Sequence, residues 1–82
     1  MTGSFFAEGQ EEVGTVKFFK DDRGFGFVEP RNGGNDVFLH ASALREAGHH
    51  TASEGDQITY VAEHKRGRRA REVTRVINLG KR

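Results

Sequence analysis

The segment RGFGFV, residues 23–28, alternates glycine with phenylalanine in a chain whose other residues are mostly polar. If it forms a strand, Phe25 and Phe27 share one face and Gly26 and Val28 share the other, because successive side chains point to opposite faces. Two arrangements fit this alternation. Either the rings are core and the glycines are exposed, or the rings form a surface and the glycines face inward, where a tightly coiled barrel strand tolerates missing side chains.

The segment DVFLH, residues 36–40, favours the second arrangement. Val37 and Leu39 share one face of this short strand, and aliphatic side chains belong in a core. Phe38 and His40 then share the exposed face, which suits the polar ring of histidine. The same logic applied to RGFGFV predicts one exposed cluster of flat rings: Phe25, Phe27, Phe38 and His40.

Three more segments favour strands. The first begins near Val13 and runs through GTVKFFK, and the others are DQITYVAEH at residues 56–64 and AREVTRVINL at residues 70–79. Each is rich in β-branched or aromatic residues, which are enriched in strands. The alternation in DQITYVAEH predicts one face formed by Ile58, Tyr60 and Ala62.

The connections carry ordinary turn and helix signals. Asp21–Asp22 makes a turn, and Pro30 ends the second strand because it cannot donate to a ladder. Residues 41–48, ASALREAG, predict one or two helical turns with Ser42 as the N-cap and Gly48 as the stop. Five short strands, one helical turn and many glycines indicate a small all-β barrel or sandwich.

A chain of 82 residues forms one domain with a small core. We expect residues 1–12 to form a flexible tail, residues 13–79 the domain, and residues 80–82 a basic C-terminal end. There is no cysteine, which excludes disulfides and thiolate chemistry and suits a reducing cytoplasm. No apolar run reaches the length of a signal sequence or a membrane span, so we expect a cytoplasmic protein without a membrane partner.

The net charge of +1 hides a strong asymmetry. Residues 1–62 hold five lysines and arginines against ten acidic residues, a net −5, whereas residues 63–82 hold eight against two, a net +6. Such a cationic cluster favours a polyanionic partner, and a solvated basic segment is the alternative. Flat rings beside cations suit unpaired nucleobases, because each nucleotide offers a π-face to stack and a phosphate to neutralise.

Catalytic and metal chemistry are not indicated. The GFG of the opening segment lacks the third glycine and the βαβ context of a dinucleotide fingerprint. His40 and Ser42 are close in sequence, but no third group is placed to orient a base for a nucleophile. His49, His50 and His64 could bind a metal, yet histidines in loops are ordinarily solvated. We therefore expect no enzyme activity, no catalytic residue, no cofactor and no metal site.

Two motifs together resemble a known family. KFFKDDRGFGFV, residues 17–28, followed by DVFLH resembles the paired RNA-binding motifs of the bacterial cold-shock proteins and of the related cold-shock domain, and the similarity spans residues 13–76. The resemblance implies a five-stranded antiparallel OB-type barrel with a short helical turn. It also implies positions that stack on or contact single-stranded nucleic acid: Lys17, Phe18, Phe25, Phe27, Phe38 and His40. The flanking polar positions that it implies are Arg23, Asp36, Arg66 and Arg69.

The sequence departs from the family pattern in ways that reduce stacking. Phe18 stands where the family usually has tryptophan, Ala41 where a further phenylalanine is common, and His49 where another aromatic residue often lies. Simple alternation also places Lys17 and Phe18 on opposite faces, so both point outward only if the strand bulges. The segment before the last strand is more basic than the family norm, which favours phosphate contact: Arg66, Arg68, Arg69 and Arg71.

We expect a monomer that binds single-stranded RNA or DNA and acts as an RNA chaperone, preventing or melting RNA secondary structure in gene regulation or cold adaptation. Two alternatives remain open: an OB module that binds structured RNA in translation, and a protein-interaction module whose aromatic patch docks a peptide. The candidate phosphate contacts are Lys17, Lys20, Arg66, Arg68, Arg69 and Arg71. Not all six can reach a strand, because Asp21–Asp22 lies near Lys20 and the side chain of Arg71 can face away from the hairpin tip.

Overall fold

Five strands and one short helix succeed one another in a computed structural model that describes residues 9–80. The predicted flexible tail falls mostly on residues 1–8 and the basic end mostly on residues 81–82, which lie outside the described residues. The elements are β1 (Glu11–Lys20), β2 (Phe25–Pro30), β3 (Val37–His40), α1 (Ala41–Glu46), β4 (Gln57–His64) and β5 (Arg71–Gly80).

The strands close into a barrel in the order β1-β2-β3-β5-β4, which confirms the predicted five-stranded OB-type fold. Four of the five pairings described within residues 9–80 are antiparallel, as predicted. The pairing of β3 with β5 is parallel, through Phe38 and Glu72, and it departs from the expected antiparallel pattern. The β4–β5 hairpin brings β5 alongside β3 in the parallel direction, and this contact closes the barrel.

Aliphatic side chains that alternate along the strands fill the barrel. Val37 and Leu39 are fully buried, as their spacing predicts. Val73 and Val76 are three residues apart and would face opposite ways in a regular strand, yet both are buried because the register shifts between Val61 and Ala62 of β4. The other buried apolar residues are Val16, Val28, Ala43, Leu44, Ala52, Ile58, Tyr60 and Ala62.

The N-terminal cap of α1 is His40, so the prediction of Ser42 is wrong by two residues. His40 keeps an extended backbone as the last residue of β3, and its ring Nδ1 accepts a 3.0 Å hydrogen bond from the backbone N–H of Ser42. An imidazole nitrogen therefore satisfies the first turn of the helix, a task usually performed by a serine, threonine or aspartate oxygen. The cap joins the end of β3 directly to the helix, with no intervening loop.

The predicted helix stop at Gly48 is confirmed. Gly48 has φ +89°, and its N–H donates to the carbonyl of Arg45 at 2.9 Å. The N–H of His49 donates to the carbonyl of Leu44, also at 2.9 Å. This pair of hydrogen bonds around a left-handed residue is the Schellman motif, in which glycine avoids the penalty that a Cβ would bring.

β1 begins at Glu11, two residues before the predicted start at Val13. The extra residues carry an ion pair that the sequence did not indicate. Glu12 is only 8% exposed, and its carboxylate accepts hydrogen bonds from both terminal nitrogens of Arg71, with Nη2 at 3.0 Å. Tyr60 also donates its hydroxyl to Glu12 Oε1 at 3.2 Å. Burial, and secondarily the Glu12 carboxylate, raises the pKa of Tyr60, so the phenol stays protonated.

Candidate nucleic-acid interface

A β-bulge in β1 turns two successive side chains outward. Val16 pairs with Val28 and Phe18 pairs with Phe27, so Lys17 is an extra residue with no partner on β2. Val16 is buried, whereas Lys17 and Phe18 are both exposed. The structure therefore confirms that the strand bulges at the point where simple alternation would have separated Lys17 from Phe18.

Gly26 faces the barrel interior directly beneath this bulge. A Cβ built on Gly26 would lie 2.1 Å from the carbonyl oxygen of Phe18 and 2.8 Å from the Cα of Phe19. Both Gly26 and Val28 are buried. The glycine between the two phenylalanines is thus required by a close backbone approach. The arrangement with the rings in the core is excluded.

The outward-facing residues of β1, β2 and β3 form a two-by-three grid. One row is Phe18, Phe27 and Phe38, and these residues are successive register partners across the three strands. The second row has Phe25 paired with His40 on one side and with Lys20 on the other. Five of the six positions in this grid therefore carry flat rings, and we refer to them as the aromatic surface: Phe18, Phe25, Phe27, Phe38 and His40.

The rings of the aromatic surface touch one another and remain accessible. Ring centroids are 5.8 Å apart for Phe18 and Phe27, and 5.6 Å apart for Phe27 and Phe38. Phe25 and Phe38 are stacked at 5.9 Å with planes 20° apart. Phe18 is 37% exposed, and the other three phenylalanines are partly exposed. Mutual edge and face contacts hold the rings in place without burying them.

The ring of His40 is oriented by the helix that it caps. Its centroid lies 6.4 Å from that of Phe38. Because Nδ1 accepts from the Ser42 backbone N–H, the neutral ring carries its proton on Nε2. The exposed edge of His40 therefore presents a hydrogen-bond donor beside the phenylalanine rings.

Lys17 and Asp36, two of the polar positions that the resemblance implies, bind each other. Lys17 Nζ donates to Asp36 Oδ2 at 3.0 Å, and both side chains remain substantially exposed. The hydrogen bond to Asp36, and then the negative charge of Asp36, raises the pKa of Lys17 above its ordinary value. The charge of Lys17 is therefore already compensated within the protein.

The remaining cations implied by the resemblance lie in exposed turns. Arg23 is in the turn between β1 and β2, where its backbone N–H donates to the carbonyl of Lys20 at 3.1 Å. Arg66 and Arg69 are exposed in the connection between β4 and β5, residues 65–70, which we call the basic hairpin. A turn hydrogen bond from Arg68 to Lys65 closes this hairpin. It emerges next to the aromatic surface, because Glu72 of β5 pairs with Phe38 of β3.

Comparison with known proteins agrees with this geometry. Residues 12–76 match the family described as the 'Cold-shock' DNA-binding domain. The chain belongs to the cold-shock domain family. Proteins of this family bind nucleic acid and are not enzymes, which agrees with the expectations from sequence.

Relatives of this cold-shock domain include proteins from several bacteria. It is 44% identical over 54 residues to the cold shock protein CapA of Pseudomonas fragi, covering 66% of this chain and 84% of the relative. It is 42% identical over 67 residues to the cold shock-like protein CspA of Shewanella violacea, covering 82% of this chain and 93% of the relative. It is 42% identical over 66 residues to the cold shock-like protein CspLB of Listeria monocytogenes, covering 79% of this chain and 98% of the relative.

The structure places two of the candidate phosphate-contacting cations of this cold-shock domain in different surroundings. Arg71 was a candidate phosphate contact, but its guanidinium is bound to the buried Glu12. Lys20 was a candidate phosphate contact outside the interface positions that the resemblance implies, yet it occupies the sixth position of the outward grid. Phe18 and Lys20 are two residues apart on one strand, and this spacing predicts that they share a face.

Across residues 9–80 no group of three or more histidine, cysteine, aspartate or glutamate side chains is arranged to hold a metal ion. None of the described helices is long and apolar enough to cross a membrane.

Proposed function

We propose that this cold-shock domain holds RNA or DNA single-stranded, by stacking bases on the aromatic surface and by neutralising phosphates with the basic hairpin. The observation that carries the proposal is a set of four phenylalanine rings, each packed against at least two of the others, that stay accessible on one face of a closed barrel. A soluble protein rarely exposes such a patch without a partner. Unpaired bases fit it, because every base has a π-face and stacking contributes about 1–3 kcal/mol per base.

RNA chaperone activity follows from such binding by mass action. A protein that binds the unfolded form of an RNA and not the paired form shifts the equilibrium toward the unfolded form. No ATP or cofactor enters this scheme. We expect this shift in RNA folding to act in the regulation of transcription or translation and in adaptation to cold.

The proposal includes a monomer acting in the cytoplasm. The aromatic surface is complete within one chain, because all five rings come from β1, β2 and β3 of the same barrel. The cytoplasm is proposed because the sequence contains no cysteine, as suits a reducing compartment.

The experiment that tests the function is a chemical-shift titration with a short pyrimidine-rich single strand. Resonances of Phe18, Phe27 and Phe38 are expected to shift together, and an RNA hairpin of the same composition should compete poorly. Equal or better competition by the hairpin would indicate a structured-RNA module. If resonances of the aromatic surface shift with neither nucleic acid but do shift on addition of a protein partner, the domain would be a protein-interaction module.

Replacing single rings tests stacking. Phe25→Ala or Phe27→Ala is expected to weaken binding by about 1–3 kcal/mol, the scale of one base stack. The barrel should survive, since both side chains lie outside it. Isothermal titration measures the first effect and urea unfolding the second.

Ile77→Ala is the matched control for ring replacement. Ile77 is 38% exposed, close to the value for Phe18, but lies on β5 outside the aromatic surface. Its affinity should equal that of the wild type. Strong destabilisation of the phenylalanine variants, with unchanged affinity of the folded fraction, would contradict the stacking role.

Neutralising the basic hairpin tests phosphate contact. Each phosphate neutralised on a single strand contributes about −0.7 to the slope of log affinity against log salt, because counterions are released. The triple variant Arg66→Gln, Arg68→Gln, Arg69→Gln should therefore flatten this slope by about 2. Phe38→Ala should lower affinity and leave the slope nearly unchanged.

Fluorescence titrations at several salt concentrations give these slopes. Arg75→Gln provides the control, because Arg75 is exposed on β5 where it pairs with Val61, away from the hairpin tip. A triple variant with the slope and affinity of the wild type would show that the basic hairpin is a solvated loop.

A further inference from the structure

Lys20 completes the outward grid of which the aromatic surface forms the other five positions. It pairs with Phe25 across β1 and β2, and it is two residues from Phe18 on the same face of β1. Its ammonium lies over the Phe18 ring, 5.6 Å from the ring centroid. A cation over an aromatic face is attracted by the negative quadrupole of the ring. The lysine is thus held against the ring that forms one corner of the aromatic surface.

The charge of Lys20 is not compensated by a neighbouring carboxylate. Within residues 9–80 it forms no ion pair. The adjacent Asp21 is engaged elsewhere, since its Oδ1 accepts a 2.6 Å hydrogen bond from the Thr51 hydroxyl. That bond directs the Asp21 carboxylate toward the connection between α1 and β4. The acidic neighbours of Lys20 therefore do not neutralise it by direct contact.

The two lysines of β1 differ in this respect. Lys17 is bound to Asp36 at 3.0 Å, whereas the partner of the Lys20 ammonium among residues 9–80 is the face of Phe18. A lysine that must leave a carboxylate to reach a phosphate gains little electrostatic free energy from the exchange. A lysine that leaves an aromatic ring gains more electrostatic free energy, because the phosphate carries a full charge whereas the ring has only a quadrupole.

We propose that Lys20 binds the phosphate of the nucleotide whose base stacks on Phe18, and that its ammonium leaves the ring as the base arrives. This inference rests on the proposed function. A base cannot stack on the ring face that the ammonium covers until the lysine moves. The displaced ammonium remains at the edge of the same stack, where the phosphate of that nucleotide lies within reach of its flexible stem. Lys20, and not Lys17, is then the β1 residue that contributes to the salt dependence of binding.

Lys20→Met tests the proposal, because methionine keeps an unbranched stem over Phe18 and removes the charge. It should lower affinity severalfold at low salt and flatten the slope of log affinity against log salt by about 0.7, the value for one phosphate on a single strand. Arg75→Met is the matched control and should change neither quantity.

Proton NMR supplies a readout that does not depend on affinity. In the free protein the ring current of Phe18 should shift the ε-methylene protons of Lys20 upfield, and saturation with a pyrimidine-rich strand should remove that shift. Persistence of the shift at saturation would overturn the inference, because the ammonium would still cover the ring.

The titrations separate this inference from the proposed function. Failure of the wild type to bind any single strand would refute the function itself. A wild type that binds, beside a Lys20→Met variant of equal affinity and slope, would refute only the role of Lys20. Tighter binding by Lys20→Met would also overturn that role, because the lysine would then act only as an obstacle to stacking.

Discussion

Gly26→Ala is expected to destabilise the barrel by about 3 kcal/mol or more, enough to leave much of the protein unfolded. A methyl group at this position would lie 2.1 Å from the Phe18 carbonyl oxygen and 2.8 Å from the Phe19 Cα, and both of these atoms belong to the β1 backbone. Relief requires β1 and β2 to separate where the bulge brings them together. That separation would also displace Phe18 and Phe27, which are register partners beside Gly26.

Urea unfolding and the dispersion of the amide NMR spectrum measure this effect. Gly80→Ala is the matched control, because Gly80 also lies in a strand, has no positive φ, and has no atom within 4 Å of a Cβ built on it. That substitution should change stability by less than about 0.5 kcal/mol. A Gly26→Ala protein as stable as Gly80→Ala would show that the bulge does not need this close approach.

Arg71→Leu is expected to destabilise the protein by about 3–5 kcal/mol, the usual effect of removing one partner of a buried ion pair. The substitution leaves the Glu12 carboxylate, 8% exposed, without the guanidinium that binds both of its oxygens. The loss should appear as a lower midpoint in urea unfolding. The basic hairpin, whose last residue precedes Arg71, should also become more mobile.

Adding Glu12→Gln to Arg71→Leu separates charge from packing. The glutamine carries no charge and still offers an oxygen to the Tyr60 hydroxyl, so the double variant should recover a large part of the lost stability. If Arg71→Leu alone were as stable as the wild type, the ion pair would be a surface feature and not an anchor of the barrel.

Strand alternation predicts four of the five rings of the aromatic surface, all except Phe18. Val37 and Leu39 could be assigned to the core because they are aliphatic, and the faces of Phe38, Phe25 and Phe27 followed from a period of two. Burial of Gly26 and Val28 confirms that assignment. The need for a bulge at Lys17 and Phe18 was also evident, because a period of two cannot place neighbours on one face.

Two predictions from the sequence were wrong: the N-terminal cap of α1 and the first residue of β1. Ser42 has the chemistry of a cap, but the His40 ring nitrogen lies closer to the start of the helix. Val13 has strand propensity and Glu12 does not, yet β1 begins at Glu11. The Glu12 carboxylate is held there by hydrogen bonds from Arg71, which lies 59 positions away in sequence. Strand propensity depends on the residue type and its close sequence neighbours, so it cannot predict an ion pair with a residue so distant in sequence.

The sequence by itself determined the strands, the side chains that face inward, and the clustering of rings on one surface, because each depends on residue type and a period of two. Only the tertiary structure decided which cations are available. Lys17, Lys20 and Arg71 are all candidate phosphate contacts in the sequence, but the folded barrel places Lys17 against Asp36, Arg71 against Glu12, and Lys20 over a ring. The free energy of a charge depends on the groups within a few ångströms of it, and those groups come from distant parts of the chain.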